Sequence, residues 1–272
     1  MNSYPIISII TPSYNQGQFL EETILSVLNQ DYPNLEYIII DGGSTDNSVN
    51  IIKKYENRLD YWISEPDNGQ TEAINKGFKK TTGDILGWLN SDDLLLHGAL
   101  SALVACFEAH PEAGFVYGDY QMINRDGRVL FQRSVPDYDF GVLVYGRSLM
   151  TQPATFFRRS VLEQIGYLDE QFDFCMDLEF WIRAAVKRIM FQSLRVPLAA
   201  NRLHNDAKTS TQRQKLIEQH LKIVKKYGQV RGGACGFYLI NRYHWIRGVL
   251  KRIWQRKDWG ILQATRARNS AR

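Results

Sequence analysis

Cysteine is scarce in this chain of 272 residues: three, at positions 106, 175 and 235. They are too few and too far apart for a disulfide framework or a zinc cluster, so a reducing compartment is the expectation. No window approaches 18 uncharged apolar residues, and Met1-Asn2-Ser3-Tyr4-Pro5 runs into a strand-like segment without a basic region and apolar run. Neither a membrane span nor a secretory leader is expected. Internal repeats and low-complexity tracts are absent, which excludes solenoids and fibrous proteins. Also missing are G-x-x-x-x-G-K-[ST] and G-x-G-x-x-G, so neither a P-loop nor a dinucleotide fingerprint accounts for a nucleotide.

What is present is the composition of an ordinary folded protein, 44% hydrophobic and 12% aromatic. A chain of this size buries roughly three quarters of its unfolded surface, enough for one large α/β domain with an appendage. The net charge of +4 conceals an asymmetry. Residues 1–212 hold 18 Lys and Arg against 27 Asp and Glu, whereas 213–272 hold 15 against 2. An acidic body argues against nucleic acid as the main ligand, because phosphate backbones require a basic face.

Along the first half, short β-branched runs alternate with amphipathic segments, the pattern of a largely parallel sheet covered by helices. Strands are expected at Ile6–Thr11, Leu35–Ile40, Tyr61–Ser64, Ile85–Leu89 and Phe115–Gln121. Helices are expected after Gly17, after Asp46 or Asn47, over Thr71–Lys80 and over Ala99–His110. Asn124-Arg125-Asp126-Gly127 reads as a hairpin turn. The second half predicts strands at Ala154–Phe157 and Met190–Val196 and short helices at Ser160–Ile165 and Met176–Ala185. The domain expected over 1–212 divides into a nucleotide half to about residue 121 and an acceptor half from about 122.

In open α/β sheets ligands bind beyond the carboxyl ends of the strands. Here those ends are acidic: strand one delivers Thr11, Tyr14 and Asn15, strand two Asp41, strand three Asp67, strand four Asp92 and Asp93. Converging carboxylates repel by a few kcal/mol unless a cation or hydrogen-bond donors lie among them. A hard divalent ion, Mg²⁺ or Mn²⁺, suits oxygen ligands and leaves positions for phosphate oxygens, so a nucleoside diphosphate is the expected guest. Each segment also has a structural reading. Asp41-Gly42-Gly43-Ser44-Thr45-Asp46 suits a capped strand-to-helix turn, Asp92-Asp93 a helix start before Leu94, and Asp177 a solvated helix face with Arg183 as its ion-pair partner.

Five segments together resemble the family 2 glycosyltransferases, nucleotide-diphospho-sugar-dependent enzymes with the GT-A fold: Ile9-Ile10-Thr11-Pro12-Ser13-Tyr14-Asn15, Ile40-Asp41-Gly42-Gly43-Ser44-Thr45-Asp46, Asn75-Lys76-Gly77, Ser91-Asp92-Asp93 and Met176-Asp177-Leu178-Glu179-Phe180-Trp181-Ile182-Arg183. The resemblance spans about residues 5–210. It implies a Rossmann-type, mostly parallel sheet flanked by helices, with a C-terminal basic helical extension. It implies that Thr11, Tyr14, Asn15, Asp41 and Asp67 line the donor site and that Lys76 meets a phosphate. Asp92 would approach the ribose or sugar, and Asp93 and His204 would bind the metal. Asp177 would be the catalytic base, although members often carry Glu-Asp where this chain has Met176-Asp177. The segment after His204 would act as a flap. The implied reaction is inverting, metal-dependent transfer, of the hexosyltransferase type, from a nucleotide-diphospho-sugar such as a UDP-sugar to a glycan or lipid-linked acceptor in cell-surface polysaccharide synthesis. The alternative is a non-catalytic nucleotide-sugar-binding or scaffold protein with a basic nucleic-acid- or membrane-binding tail.

Beyond residue 212 the chain reads as helical and basic. From Phe237 to Lys257, Tyr243, Ile246, Leu250, Ile253 and Trp254 form one stripe and Arg247, Lys251, Arg252, Arg256 and Lys257 another. Two readings stand: an interfacial helix on an anionic membrane, or a helix covering the core. The expected location is cytoplasmic, peripheral at the inner face of the membrane if the first reading holds, with no specific nucleic acid partner.

Overall fold

The computed structural model describes residues 4–145, 150–204 and 213–228, together with Arg242, Tyr243 and Ile246. Among them nine strands form one sheet. The first four are β1 (Ile7–Ser13), β2 (Leu35–Asp41), β3 (Tyr61–Ser64) and β4 (Ile85–Trp88). They are followed by β5 (Leu94–Leu95), β6 (Ala113–Ile123), β7 (Val129–Arg133), β8 (Thr155–Arg158) and β9 (Met190–Arg202). The order is β3-β2-β1-β4-β8-β6-β9-β5, with β7 paired to β6 off this path. Pairings among β1 to β4 are parallel. β8 is antiparallel to both of its neighbours, while β6 and β9 run parallel.

Strand alternation sends Ile38 and Ile40 to one face and Tyr37 and Ile39 to the other, and each face has its own core. Helices α1 (Gly17–Leu28), α2 (Ser48–Tyr55) and α4 (Ala99–Ala109) cover one side through Leu20, Ile24, Ile52, Leu100 and Phe107. The other side is covered by α3 (Gln70–Phe78), α5 (Phe140–Tyr145), α6 (Arg159–Ile165) and α7 (Met176–Val186), around Phe115, Phe157 and Phe180. Helix α3 lies close on β1 because residue 77 is glycine; a Cβ there would sit 2.4 Å from Ile10 Cγ2. This contact holds the end of β1 beside the strand-three loop.

Two elements differ from expectation. The segment after Asp93 is strand β5, paired with Leu94↔Ala200 and Leu95↔Ala199, ahead of the expected helix at Ala99. Strand β9 continues past Val196 to Arg202 because β6 supplies a partner for its whole length. That extension carries Arg202 and His204 back to the ends of the parallel strands.

Beyond residue 212 the described chain packs on the sheet domain. Helix α8 (Arg213–Tyr227) buries Ile223 and Val224 in the same apolar cluster as α7. It is tied to α7 by Tyr227 and Lys226, which both reach Glu179. The stripe expected over Phe237–Lys257, apart from Tyr243 and Ile246, lies outside the described residues, as do the flap residues 205–210.

Candidate active site

Past the carboxyl ends of β1 to β4 lies a cavity of about 950 Å³. Its nucleotide-side wall is Pro12, Ser13, Tyr14, Gly42, Gly43, Pro66 and Asp67. Asn90 to Asp93, Asn201 and Arg202 form the middle, and Gln152, Asp173, Phe174, Met176 and Asp177 close the far side. Four strand ends and one helix start therefore meet on one space, with Tyr14, Asp67, Asp92, Asp93 and Asp177 on its wall.

Three predicted donor residues are employed elsewhere. Thr11 is fully buried and its hydroxyl shares a hydrogen bond of 3.0 Å with Tyr37 Oη. Asp41 is also fully buried; it accepts from Ser44 N at 2.9 Å, Ser44 Oγ at 2.6 Å and Ser64 Oγ at 2.7 Å. Three donors account for most of that carboxylate's acceptor capacity, so Asp41 shapes the Gly42–Ser44 turn from beneath. Lys76 pairs with Glu65 at 2.9 Å and with Glu72 at 3.0 Å, away from the cavity. Asn15, in the left-handed region at φ 50°, clamps the two nucleotide-side loops. Its N–H donates to Ser44 Oγ and its Oδ1 accepts from Thr45 N, both at 2.8 Å.

Asp67 lies on the cavity wall. Its Oδ1 accepts from Gly69 N at 2.9 Å, and burial holds its pKa above the usual carboxylate value. Gly42 lies against it: a Cβ at 42 would be 2.7 Å from Asp67 Oδ2. Tyr14, 61% exposed, offers its ring at the rim.

The two aspartates of the pair have different surroundings. Asp93, 2% exposed, accepts Arg202 N at 2.9 Å on Oδ1 and the Asn90 and Asn201 amides at 3.4 and 3.5 Å on Oδ2. Burial first, and the Asp92 charge second, drive its pKa well upward. Asp92 is the outward one, and its Oδ2 lies 2.9 Å from His204 Nε2.

Two further residues set this end of the cavity. Phe19 lies between His204, at 4.8 Å centroid to centroid, and the Arg202 guanidinium, at 4.9 Å. Arg202 is itself buried and donates to Asp92 O at 2.8 Å, Arg125 O at 2.8 Å and Glu22 Oε2 at 2.6 Å. One guanidinium thus joins the Asp92 loop, the β6–β7 turn and α1. No local sequence signal marks Arg202, because its partners come from three distant segments.

Asp177 is in the first turn of α7, with Oδ1 accepting Leu178 N at 2.7 Å. Desolvation raises its pKa to about 6, the range in which a carboxylate serves as a general base near neutrality. Arg183 pairs with Glu179, not with Asp177, through Nε at 3.2 Å and Nη2 at 3.0 Å. Met176, buried, accepts Thr71 Oγ1 on its sulfur at 2.9 Å.

Two donor atoms suited to a divalent ion, a carboxylate oxygen and an imidazole nitrogen, are thus side by side at the end of β4. Among the described residues no group of three His, Cys, Asp or Glu side chains converges to hold a metal. A pair fits an ion that keeps waters and takes its other ligands from phosphate oxygens.

A profile of the family described as Glycosyl transferase family 2 matches residues 8–166. An uncharacterized glycosyltransferase of Mycobacterium tuberculosis is 33% identical over 192 residues, covering 68% of this chain and 71% of that protein. A Bacillus subtilis protein named as a teichuronic acid biosynthesis glycosyltransferase, TuaG, is 33% identical over 132 residues, 47% of this chain and 52% of its own. Among solved structures, Staphylococcus aureus TarS 1-349 in complex with UDP-GlcNAc superposes with a TM-score of 0.67 at 19% identity. It covers 87% of this chain and 70% of that one. The mannosyltransferase PcManGT of Pyrobaculum calidifontis, in complex with GDP-Man and Mn²⁺, gives 0.63 at 18% identity over 100% of this chain and 82% of that one. The fold shared with these two is the GT-A fold.

Proposed function

The chain belongs to glycosyl transferase family 2, and from that premise we propose that it transfers a sugar from a nucleotide-diphospho-sugar to a hydroxyl, with inversion and with Asp177 as base. One observation carries this reading: Asp67, Asp92 and Asp177 lie on the wall of one cavity at the ends of four strands and the start of α7.

In this reading the base lies against Tyr14, Gly42 and Gly43, and Asp67 accepts a ring N–H. Uracil, thymine and guanine offer such a donor; adenine and cytosine do not. Asp92 and His204 would hold a divalent ion, which would supply positive charge to neutralise the departing diphosphate. The residues that would hold that ion are Asp92 and His204, and Asp93 braces the Asp92 loop through Arg202.

Asp177 Oδ accepts the proton of the acceptor hydroxyl. The hydroxyl oxygen bonds to the anomeric carbon as the bond from that carbon to the phosphate oxygen breaks. A single displacement from the opposite face inverts the centre, so an α-linked donor yields a β-linked product. The Leu178 N–H fixes the orientation of the Asp177 carboxylate on the cavity wall.

The acceptor is a glycan or lipid-linked saccharide of a cell-surface polysaccharide. TuaG, named for teichuronic acid, supports that class, and UDP-GlcNAc and GDP-Man in the titles of the two structures support a nucleotide-sugar donor. The site of action is the cytoplasmic membrane face. Among the described residues no helix is long and apolar enough to cross a membrane, which suits peripheral attachment.

The test is Asp177→Asn assayed beside the unaltered chain. Melting is followed with UDP-, GDP- and dTDP-sugars, with and without Mn²⁺, and transfer is measured for each. Lost transfer with a retained donor-induced shift is the expected result; a donor-induced shift without turnover in the unaltered protein makes it a non-catalytic nucleotide-sugar binder.

A further inference from the structure

The β6–β7 hairpin has a surface that sugar transfer does not use. All five residues of β7 are exposed, and the run Val129-Leu130-Phe131 is 56%, 53% and 42% exposed. Successive strand residues point to opposite faces, so apolar side chains stand in water on both sides of this strand. Three consecutive exposed apolar residues on a projecting strand mark an interaction surface. Among the described residues β7 pairs only with β6, which leaves its outer edge open.

The hairpin is built firmly. Asn124 Oδ1 accepts Asp126 N at 3.1 Å and Arg128 N at 2.8 Å, Asn124 N donates to Arg128 O at 2.9 Å, and Gly127 takes the left-handed φ of 79° that closes the turn. Around the apolar run stand Arg125, Arg128 and Arg133, all exposed, against Asp126 and against Glu22, which lies beside Gly127 and is paired with Arg202. This is a basic island on a body in which acids outnumber Lys and Arg by nine.

Its location matters. Arg202, on the cavity wall, donates to Arg125 O at 2.8 Å and to Asn124 O at 3.4 Å, so the turn abuts the Asp92–His204 end of the cleft.

Charge selects among the occupants of this surface. The chain beyond residue 212, with 15 Lys and Arg against 2 acids, would meet arginines with like charge. So would the same strand of a second copy. A surface that combines anionic groups with accessible hydrocarbon complements both the arginines and the apolar run.

We infer that the β6–β7 hairpin docks on an anionic lipid surface, with Val129, Leu130 and Phe131 entering the interface and Arg128 and Arg133 meeting headgroups. Docking holds the cleft mouth at the membrane. The binding is independent of catalysis; its use, to bring the cleft to a lipid-linked acceptor, rests on the transferase reading above.

The experiment uses the full chain with vesicles of phosphatidylcholine alone and of phosphatidylcholine mixed with phosphatidylglycerol. Co-sedimentation and amide hydrogen exchange of residues 125–133 are followed together. The expected result is slowed exchange across Arg128–Arg133 with the anionic vesicles only. That protection is abolished in Val129→Ser/Leu130→Ser/Phe131→Ser and weakened in Arg128→Glu/Arg133→Glu, by roughly fivefold for each arginine removed. Because these side chains are exposed, both variants keep the melting temperature and donor-induced shift of the unaltered chain, which separates lost docking from lost folding. Three results overturn the inference: no vesicle binding; vesicle binding with unchanged hairpin exchange, which assigns attachment to the C-terminal segment; or protection that grows with protein concentration without vesicles, which assigns the strand to a second copy. Hairpin protection in a chain without transfer activity would sink the transferase reading and leave the docking standing.

Discussion

Tyr227 donates its hydroxyl to the buried Glu179 carboxylate at 2.5 Å, joining the helix beyond residue 212 to the helix that carries Asp177. Glu179 is also held by Arg183, four residues on, and by Lys226 Nζ at 3.4 Å. A buried carboxylate with several charge-assisted partners is costly to leave short of one.

Tyr227→Phe removes one such donor while keeping the ring in place. It lowers the unfolding free energy by about 1–3 kcal/mol, read by urea denaturation. Because α7 loosens at its α8 contact, transfer falls more than donor affinity does, which a comparison of kcat with the donor-induced melting shift detects. Equal stability in the variant would show that the network has no mechanical role.

Asp177 ties activity to pH and stability in opposite senses. With a folded pKa of about 6 against about 3.9 unfolded, the native state binds more protons between these values. Stability therefore falls as pH rises through that window, and the ionised group costs on the order of 2–3 kcal/mol at neutrality. A base must be ionised to work, so kcat drops as pH falls through about 6. Asp177→Asn abolishes transfer and melts higher than the unaltered chain at neutral pH, with the gain vanishing near pH 4. A variant that melted lower at neutral pH would contradict this account.

Much of the fold was legible because hydrophobic period reports local structure. The tyrosine-to-serine strand Tyr61–Ser64 and the strand-end acids lie where alternation and turn residues put them. Long-range partners were not legible. Leu94-Leu95 becomes a strand only because Ala199 and Ala200 pair with it, more than a hundred residues away. Asp41 looked like a ligand group until Ser64, on the neighbouring strand, filled its acceptor positions. Two ion pairs have a readable local signal: Glu72 precedes Lys76 by four residues and Glu179 precedes Arg183 by four, the helical spacing for such pairs. That spacing assigns both cations to structure.

The two adjacent aspartates separate experimentally. Asp92→Ala and His204→Ala remove the additional melting shift that Mn²⁺ gives with a nucleoside diphosphate, while the metal-free protein melts within a few degrees of the unaltered chain. Asp93→Ala leaves the buried Arg202 N–H without its acceptor and costs about 1–3 kcal/mol of stability. A Mn²⁺ response that survives Asp92→Ala and His204→Ala but not Asp93→Ala would restore Asp93 as the ligand.

In the proposed function, base recognition depends on the contact between Gly42 and Asp67. A methyl at residue 42 would lie 2.7 Å from Asp67 Oδ2 and 3.1 Å from its Cγ, so Gly42→Ala displaces the carboxylate without altering its charge. Asp67→Asn keeps the shape but turns one acceptor into a donor, which repels a ring N–H. Both substitutions weaken binding of whichever of UDP, GDP or dTDP the unaltered chain prefers, by roughly tenfold to a hundredfold for a lost charge-assisted hydrogen bond. Titration calorimetry with the nucleoside diphosphates measures it. Asp67→Asn should also narrow the preference over CDP, because cytosine N3 accepts where the other pyrimidines donate. Unchanged preference would move base recognition to the Tyr14 ring and the backbone of Gly42 and Gly43.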